Sequence, residues 1–307
     1  MLTIRSCFAV LGLLVAGHAD PGLPLTGRPS VEIVARGLDN PRGLTFGGRG
    51  ELYVAEAGRG GTACHPGADG GTLCSGPSGA ITVVEFGRQW RIRSGLPSEA
   101  SPAGTGAAGP SDVTIGPDGE PLHTATSGPS GLHRDGALLA ALASPVAIAG
   151  TAVPSPVADT AIVDAGKRRL VRLGPRGRVR TIASFEAPAA PSSVTVGPDG
   201  AWFVGERFDP SVVRPPAARI WRVAPGHPPA VWATGFTGVV DLAWGPDARL
   251  YVLEENALTS IDAQGSRRLI ATRGLTSPGG LAIRGGYAYI TTCSTCRDTG
   301  AVLRLRL

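Results

Sequence analysis

Short apolar runs alternate with tight turns along the chain, and one strand–turn–strand unit recurs at irregular intervals. Clear copies occupy residues 41–56, 110–126, 191–206, 239–254 and 278–292. Alternating apolar and polar positions in each arm predict β-strands whose side chains point to opposite faces. In two copies the turn reads Gly-Pro-Asp-Gly, where proline presets the second turn position and the last glycine supplies a positive φ. The unit is therefore predicted to be a β-hairpin.

The spacing of these copies leaves room for a sixth copy in the middle of the chain. Its second strand is predicted at 160–166, and a degenerate first strand near 146–150. Six units over the chain beyond residue 19 give about 48 residues each, the size of a four-stranded propeller blade. We therefore predict an all-β fold, a single six-bladed β-propeller over residues 31–307 with no linker to a second domain.

The segment at 31–38 is predicted to close the ring of blades. It resembles the strands that precede later copies of the unit, and the chain ends on the third strand of the last copy. Pairing of residues 31–35 with the last blade would supply its fourth strand. Closure of this kind removes an open sheet edge, which otherwise templates aggregation.

The composition agrees with a fold of many strands and turns. The 307 residues include 45 Gly and 27 Pro, the two worst residues for a helix interior, which excludes a helical bundle. Hydrophobic residues make up 42% and charged residues 17%, which excludes a disordered chain. The densest basic stretch, 167–180, alternates arginines without interleaved aromatic residues. It predicts the exposed face of an outer strand and no nucleic-acid partner.

Residues 1–19 carry the features of a secretory signal peptide. Arg5 precedes an apolar run at 7–16, and Gly17 and Ala19 are small residues at the positions that a signal peptidase reads. The apolar run is too short for a permanent membrane anchor. We predict cleavage near Ala19, a flexible segment at 20–30, a secreted or extracytoplasmic protein, and no membrane span after cleavage.

Four cysteines remain after signal cleavage: Cys64, Cys74, Cys293 and Cys296. The first pair lies in a glycine-rich insertion of the first blade and the second pair follows the second strand of the last blade. All four are therefore predicted near the closure seam. Two local disulfides are favoured, since exported cysteines usually oxidise and near neighbours easily reach the required geometry. Crossed disulfides and a zinc site with four cysteine ligands stay open as alternatives.

Several segments of the chain resemble the ScyD/ScyE family. They are PRGLTFGGRGELYVAEAGRGG with the cysteine pair that follows it, SVTVGPDGAWFVGE, VWATGFTGVVDLAWGPDARLYVLE and the terminal TTCSTCRDTGAVLRL. The resemblance covers essentially the whole chain beyond the signal peptide and implies an exported six-bladed propeller. The family is named after proteins associated with scytonemin, a cyanobacterial sunscreen pigment. One of these is implicated in late assembly of the pigment from indolic precursors, whereas the resemblance implies no assigned reaction for most members.

Acidic residues recur at equivalent positions of the repeated unit. A carboxylate ends the second strand in four copies, and Asp112, Ser193 and Asp241 begin three of the first strands. In a propeller, first strands start and second strands end on one face of the ring, so these side chains are predicted to converge at a channel mouth. Crowded carboxylates repel one another and call for a cation, an arginine or water. The candidate ligand or metal residues are Glu56, Asp112, Ser193, Glu206, Asp241 and Glu254, with Asp164 as a further strand-ending carboxylate and Arg42, Arg207 and Arg219 as candidate counter-charges.

Three interpretations of this predicted rim stay open. The carboxylates cap hairpins and pair with arginines, or they belong to a binding or assembly module, or they hold Ca²⁺ or Mg²⁺ in a lactonase- or gluconolactonase-like active site. Of the functional interpretations the non-catalytic module is favoured, with an unidentified small molecule or protein as partner and a monomeric state. No catalytic residue and no definite cofactor are assigned; Ca²⁺ or Mg²⁺ is the candidate ion. A Ser-His-Asp hydrolase is disfavoured because the sequence has no Gly-x-Ser-x-Gly motif.

Overall fold

The computed structural model describes residues 31–150, 160–174, 178–208 and 217–307. The predicted signal peptide at 1–19 and the segment at 20–30 lie outside these described residues. Within them, six antiparallel β-sheets surround a central channel, and no helix is both long and apolar enough to cross a membrane. The fold is the predicted all-β, six-bladed propeller.

In each blade the first strand faces the channel and the last strand lies outermost. The chain starts with an outer strand, β1 (Val31–Leu38). Blade 1 holds β2 (Pro41–Phe46), β3 (Leu52–Glu56), β4 (Ala63–Pro66), β5 (Thr72–Glu85) and β6 (Arg88–Ala100). Blade 2 holds β7 (Pro110–Ile115), β8 (Pro121–Ala125), β9 (Gly131–Arg134) and β10 (Ala137–Ala141). Blade 3 holds β11 (Pro145–Ala149), β12 (Thr160–Asp164), β13 (Arg169–Leu173) and β14 (Val179–Ser184).

The second half of the ring repeats this pattern. Blade 4 holds β15 (Pro191–Val196), β16 (Trp202–Glu206), β17 (Ala218–Val223) and β18 (Ala230–Phe236). Blade 5 holds β19 (Val239–Trp244), β20 (Leu250–Glu254), β21 (Leu258–Ile261) and β22 (Arg267–Ala271). Blade 6 holds β23 (Gly280–Arg284), β24 (Tyr287–Thr292) and β25 (Gly300–Arg306), and β1 completes it.

The six first strands follow one another around the channel. Contacts join β2 to β7, β7 to β11, β11 to β15, β15 to β19, β19 to β23, and β23 back to β2. Blades 2 and 5 therefore lie on opposite sides of the channel, as do blades 1 and 4. This arrangement decides which inner side chains can meet.

The strand β1 closes the ring by pairing with β25. The antiparallel register runs from Val31 opposite Leu305 to Leu38 opposite Gly300. Ala35 and Leu38 are buried between blades 6 and 1, whereas Val31 is exposed. The prediction that the N-terminal strand completes the last blade is confirmed.

The degenerate sixth copy of the repeated unit is confirmed as blade 3. Its first two strands pair with Ile148 opposite Ile162, close to the positions predicted for them. The least regular segment of the repeat, 120–136, forms the two middle strands of blade 2. Of the basic stretch at 167–180, the exposed Arg180 lies on the outermost strand of blade 3, while 175–177 fall outside the described residues.

Aliphatic side chains fill the interfaces between neighbouring blades. Between blades 3 and 4, Val163, Leu170 and Val204 are fully buried. Between blades 5 and 6, Leu253 and Ile290 are fully buried in the same way. Each such side chain contributes roughly 1.5–3 kcal/mol through the apolar area removed from water. With only 5% aromatic residues in the chain, these branched side chains carry most of the burial.

The four remaining cysteines form two local disulfides in the structure. Cys64 pairs with Cys74 across the neighbouring strands β4 and β5, and Cys293 pairs with Cys296 after β24. This connectivity agrees with the local pairing favoured by the sequence. Neither the crossed pairing nor the zinc site with four cysteine ligands is present in the described chain.

Three connecting segments around blade 1 contact the last blade at the closure seam. The amide of Gly106 donates to the carbonyl of Thr295 at 3.1 Å, and the amide of Asn40 donates to the carbonyl of Cys296 at 2.8 Å. Arg59 in the insertion forms a 3.2 Å ion pair with Asp298. These contacts join the first and last blades in addition to the pairing of β1.

Candidate functional site

The central channel opens at two mouths. The wide mouth lies where the first strands begin and encloses a cavity of about 710 Å³. The narrow mouth lies where the first strands end and encloses about 570 Å³. Small and apolar residues line most of the wide mouth, and its charged residues are Arg42, Arg207 and Glu255. The lining of the narrow mouth includes Asp112 and Asp241.

Glu56 ends β3 with a fully buried carboxylate that is held by an arginine. Arg91 on β6 donates from Nε to Oε1 at 2.9 Å and from Nη2 to Oε2 at 2.7 Å. The Thr82 hydroxyl donates to Oε1 at 2.5 Å and the Asp39 amide to Oε2 at 2.7 Å. A two-pronged guanidinium contact satisfies a buried carboxylate in both charge and geometry. Both oxygens of Glu56 are therefore occupied by donors of the protein.

Glu206 and Asp164 are buried and held in the same manner. Arg219 donates to Glu206 from Nε at 2.9 Å and from Nη2 at 3.1 Å, and the Trp221 indole donates at 2.7 Å. Arg169 donates to Asp164 from Nε at 3.0 Å and from Nη2 at 2.8 Å. In blades 3 and 4, the arginine sits on the third strand beside the carboxylate of the second.

Glu254, which ends β20, is half-buried and has no arginine partner in the described chain. Its Oε1 accepts from the amide and the hydroxyl of Thr237, both at 2.7 Å. None of the four strand-ending carboxylates is among the described residues that line the wide mouth. The structure therefore does not bring them together at one ion.

Asp112 and Asp241 hold the third position of first strands in opposite blades. Asp112 Oδ2 accepts from the Ile148 amide of blade 3 at 2.8 Å, and Oδ1 accepts from the amide of the next residue at 2.8 Å. Asp241 repeats this arrangement, with the Leu281 amide of blade 6 at 2.7 Å and its own next amide at 2.8 Å. Each aspartate therefore joins its own first strand to that of the following blade.

A glycine in blade 1 leaves the space that Asp112 occupies. Gly43 holds the third position of β2, and a methyl group on its Cα would lie 1.8 Å from Asp112 Oδ1. Any side chain at this position would displace the carboxylate. The close approach of two blades at the channel thus requires glycine here.

Burial in the channel raises the pKa of both aspartates. Removal from water raises the pKa of Asp112 well above its ordinary value, and the charge of Asp241 raises it further. Removal from water also raises the pKa of Asp241 to about 7, against the opposing effect of its two amide hydrogen bonds. The pair consequently takes up a proton or attracts a cation more readily than exposed aspartates do.

Ser193 holds the equivalent third position in blade 4. Its side chain is buried, and its hydroxyl oxygen has no hydrogen-bond partner among the described residues. The structure brings Asp112 and Asp241 to the channel but does not gather them with Ser193 or the glutamates. Across the described ranges, no group of three or more His, Cys, Asp or Glu side chains could hold a metal ion.

Two arginines face the wide mouth. Arg207 Nη2 pairs with Glu255 Oε1 at 2.6 Å. Arg42 donates from Nη2 to the Ala107 carbonyl at 2.7 Å and has no carboxylate partner in the described part of the chain. Burial lowers the pKa of Arg42 to about 10, and the charge of Arg207 adds to this effect. At the level of the sequence both arginines are predicted only as counter-charges.

One sequence signal does distinguish Arg42. It occupies the second position of the repeated unit, where the units of the other five blades carry only Ser, Val or Gly. Arg42 departs from the repeat, because it places a long cationic side chain toward the channel where the other blades carry a small side chain. Such a departure is typical of a functional residue placed on a repeated scaffold.

Histidines lie away from the channel in the described structure. His123 and His133 stack inside blade 2 with ring centroids 5.3 Å apart, and neither lines a mouth. Burial lowers the pKa of His123 to about 4, so this imidazole is neutral at physiological pH. His65 and His227 are exposed on the insertion and on an outer turn of blade 4. An imidazole is thus not positioned as a general base at either mouth.

Comparison with known proteins establishes the fold alone. No protein-family profile matches the sequence, and no curated protein matches it significantly. Among solved structures, virginiamycin B lyase from Staphylococcus aureus superimposes with a TM-score of 0.54 and 14% identity, covering 91% of this chain and 100% of that chain. Two Bacteroides thetaiotaomicron structures are also similar in fold.

The first of these is a structural genomics protein of unknown function, with a TM-score of 0.59 and 8% identity, covering 91% of this chain and 76% of its own. The second is an auxiliary nutrient binding protein, with a TM-score of 0.58 and 9% identity, covering 88% of this chain and 69% of its own. The same propeller thus carries a lyase and a binding protein. The chain is a six-bladed β-propeller, and its activity has to be argued from its own residues.

Proposed function

We propose that this protein is an exported, ligand-binding propeller of the ScyD/ScyE type that holds a small molecule at its wide mouth. The observation that carries the proposal is a cavity of about 710 Å³ in which the partly buried Arg42 has no carboxylate partner among the described residues. Cavities of roughly 300–1,000 Å³ with a few convergent polar groups suit small ligands. The family resemblance supports the exported location and a role in the assembly of a secondary metabolite.

The residues of the wide mouth favour binding over catalysis. General acid–base chemistry needs a group that gains and loses a proton near the working pH. With a pKa of about 10, Arg42 stays protonated there, and Arg207 and Glu255 are already paired with each other. The strand-ending carboxylates, which could otherwise serve, are occupied by protein donors. Positive charge without a proton shuttle suits recognition of a ligand.

Metabolite capture from a cell extract tests this proposal, since it requires no choice of ligand in advance. The purified protein is incubated with a small-molecule extract of its source organism and filtered, and retained compounds are identified by mass spectrometry. The matched control is Ala190→Trp, because Ala190 lines the cavity and an indole there would fill it. We expect a compound retained by the natural protein and lost from the variant. Equal retention by both would place binding elsewhere, and no retained compound would contradict the proposal.

A metal-supported hydrolase of the lactonase type is the second candidate. The observation that favours it is the pair of channel carboxyls, Asp112 and Asp241, which face each other from opposite blades. Ca²⁺ and Mg²⁺ prefer oxygen ligands of this kind. Titration with Ca²⁺ while the melting temperature is followed tests this candidate. A rise that disappears in Asp241→Asn supports it, and an unchanged melting temperature contradicts it.

A further inference from the structure

The charges of the wide mouth do not balance. Its charged lining residues in the described chain are Arg42, Arg207 and Glu255. Arg207 and Glu255 neutralise each other across 2.6 Å, which leaves the positive charge of Arg42 without a compensating carboxylate among the described residues. Arg42 is partly buried, and a charge that is partly removed from water is stabilised by an opposite charge beside it. The imbalance indicates that an anion completes this cavity.

The guanidinium of Arg42 is held in place with free donors. One hydrogen bond, from Nη2 to the Ala107 carbonyl at 2.7 Å, fixes the group. Nε and Nη1 donate to no acceptor among the described residues. A planar guanidinium with unused donors matches the two oxygens of a carboxylate, which it binds in a two-pronged geometry.

The remaining wall of the cavity combines apolar side chains with hydroxyls that are already hydrogen-bonded inside the protein. Its apolar side chains include Val146, Phe208 and Val240. Its hydroxyls are those of Ser111, Thr126 and Ser192, which donate to the carbonyls of Pro145, Gly109 and Val239 respectively. A ligand that fits must therefore combine one anionic group with an apolar body. A single uncompensated charge matches a monoanion better than a phosphate, which carries about two charges near neutral pH.

From these observations we propose that the ligand of the wide mouth is an apolar carboxylic acid, bound as its monoanion with the carboxylate on Arg42. This inference rests on the proposed function, and it adds the chemical class of the ligand. The apolar body packs against Phe208 and Val240, while Arg207 and Glu255 remain paired beside the carboxylate.

Isothermal titration calorimetry with defined probes tests the ligand class. The probes are 2-naphthoate, its neutral analogue 2-naphthamide, and inorganic phosphate. We expect 2-naphthoate to bind at least about tenfold more tightly than the amide, because a charge-assisted pair of hydrogen bonds is lost with the charge. Phosphate is expected to bind more weakly than 2-naphthoate. Tighter binding of phosphate would overturn the proposal in favour of a phosphate site.

Variants of Arg42 separate the guanidinium from charge alone. Arg42→Gln is expected to weaken binding of 2-naphthoate about tenfold or more and to leave binding of 2-naphthamide unchanged. Arg42→Lys keeps the charge but lacks the planar guanidinium that binds both carboxylate oxygens. Its affinity for 2-naphthoate is expected to lie between those of the natural protein and of Arg42→Gln. The matched control is Arg88→Gln, on the exposed turn of blade 1, which is expected to bind as the natural protein does. Melting curves establish that each variant is folded.

The outcomes distinguish this inference from the proposed function. If both naphthyl probes bind equally and Arg42→Gln changes neither, the carboxylate inference is wrong while ligand binding at the mouth stands. If neither probe binds but metabolite capture at the mouth succeeds with a neutral compound, the same conclusion follows. If capture also fails, both proposals are wrong.

Discussion

At the scale of single residues, the two stacked histidines of blade 2 make stability depend on pH. The side chain of His123 is 3% exposed, and burial together with the charge of His133 lowers its pKa to about 4. Blades 1, 4 and 5 show what the position accepts, since Tyr53, Phe203 and Tyr251 occupy it there. Histidine at this place is thus a titratable group in an aromatic core position.

The pH dependence has a definite sign. Because the pKa of His123 is lower in the folded protein than the value of 6.5 for the free side chain, the unfolded chain binds more protons between these values. The contribution of His123 to the free energy of unfolding is fully present above about pH 6.5. As the pH falls toward about 4, the free energy of unfolding decreases by about 3 kcal/mol. Urea unfolding at pH 7 and pH 4.5 should show a smaller loss in His123→Phe. An equal loss in both proteins would contradict the lowered pKa.

The buried ion pair of blade 4 gives a second residue-scale prediction. Arg219→Gln leaves the fully buried Glu206 without its guanidinium and should lower the free energy of unfolding by roughly 3–5 kcal/mol. Arg222, on the same strand, forms an exposed pair with Asp199, and Arg222→Gln should cost less than about 1 kcal/mol. Denaturant unfolding of both variants measures the contrast. Equal losses of unfolding free energy in the two variants would mean that the burial of Glu206 does not determine the size of the loss.

At the scale of elements, the two ends of the closing strand β1 should contribute differently to the free energy of unfolding. Leu38 is 1% exposed between blades 6 and 1, whereas Val31 is 51% exposed at the other end. Leu38→Ala should lower the free energy of unfolding by roughly 2–5 kcal/mol through the cavity it leaves. Val31→Ala is the control and should change it by less than about 1 kcal/mol. If the two variants are equally stable, closure does not depend on the packing of this strand.

The elements that follow the repeat could be predicted from the sequence, because turn chemistry and alternating side chains are local signals. The strands β11 and β12 could also be predicted, although their copy of the repeated unit is degenerate. The strands of the insertion could not be predicted, because residues 58–79, which include β4 and the first part of β5, are rich in glycine and follow no repeat. Their pairing is decided by contacts between distant residues, such as Cys64 opposite Cys74.

The sequence predicted that carboxylates recur at the ends of the strands, but it did not predict the directions of these side chains, nor the part of Glu255 and Phe208 in the lining of the wide mouth. The repeat places Glu56 and Glu206 at one end of the ring, yet it does not show that arginines of the outer strands turn these carboxylates into their own blades. The same limit applies to Asp112, whose partner is the Ile148 amide of another blade. Side-chain direction depends on tertiary packing, which a strand pattern does not contain.

At the scale of the whole molecule, the two disulfides should stabilise the protein to different degrees. In the chain-entropy model the Cys64–Cys74 loop, with a sequence separation of 10, contributes about 3 kcal/mol. The Cys293–Cys296 loop, with a separation of 3, contributes about 2 kcal/mol. Serine pairs at each disulfide, compared by urea unfolding, measure the two losses. Peptide mapping without reductant should recover both local pairs, and a peptide joining Cys64 to Cys293 or Cys296 would contradict the pairing.

The propeller as a whole separates two kinds of charged residue. The carboxylates that end the second strands of four blades are hydrogen-bonded inside the protein, three of them by arginines on other strands of the same blade. Arg42 at the wide mouth has no such partner in the described structure. The two mouths also differ in their ionisable side chains, since two aspartates reach the narrow mouth and two arginines the wide one. A ligand that enters the channel therefore meets carboxyl groups at one end and guanidinium groups at the other.

Crystallographic fragment screening tests the central claim, that the wide mouth is the binding site, most directly. Crystals of the purified protein are soaked with a library that contains acidic, neutral and basic fragments, and the bound positions are compared. We expect fragments to collect at the wide mouth, with carboxylates on Arg42 and apolar groups against Phe208 and Val240. Fragments that collect at Asp112 and Asp241 in the narrow mouth, or on the outer strands, with the wide mouth empty, would contradict it.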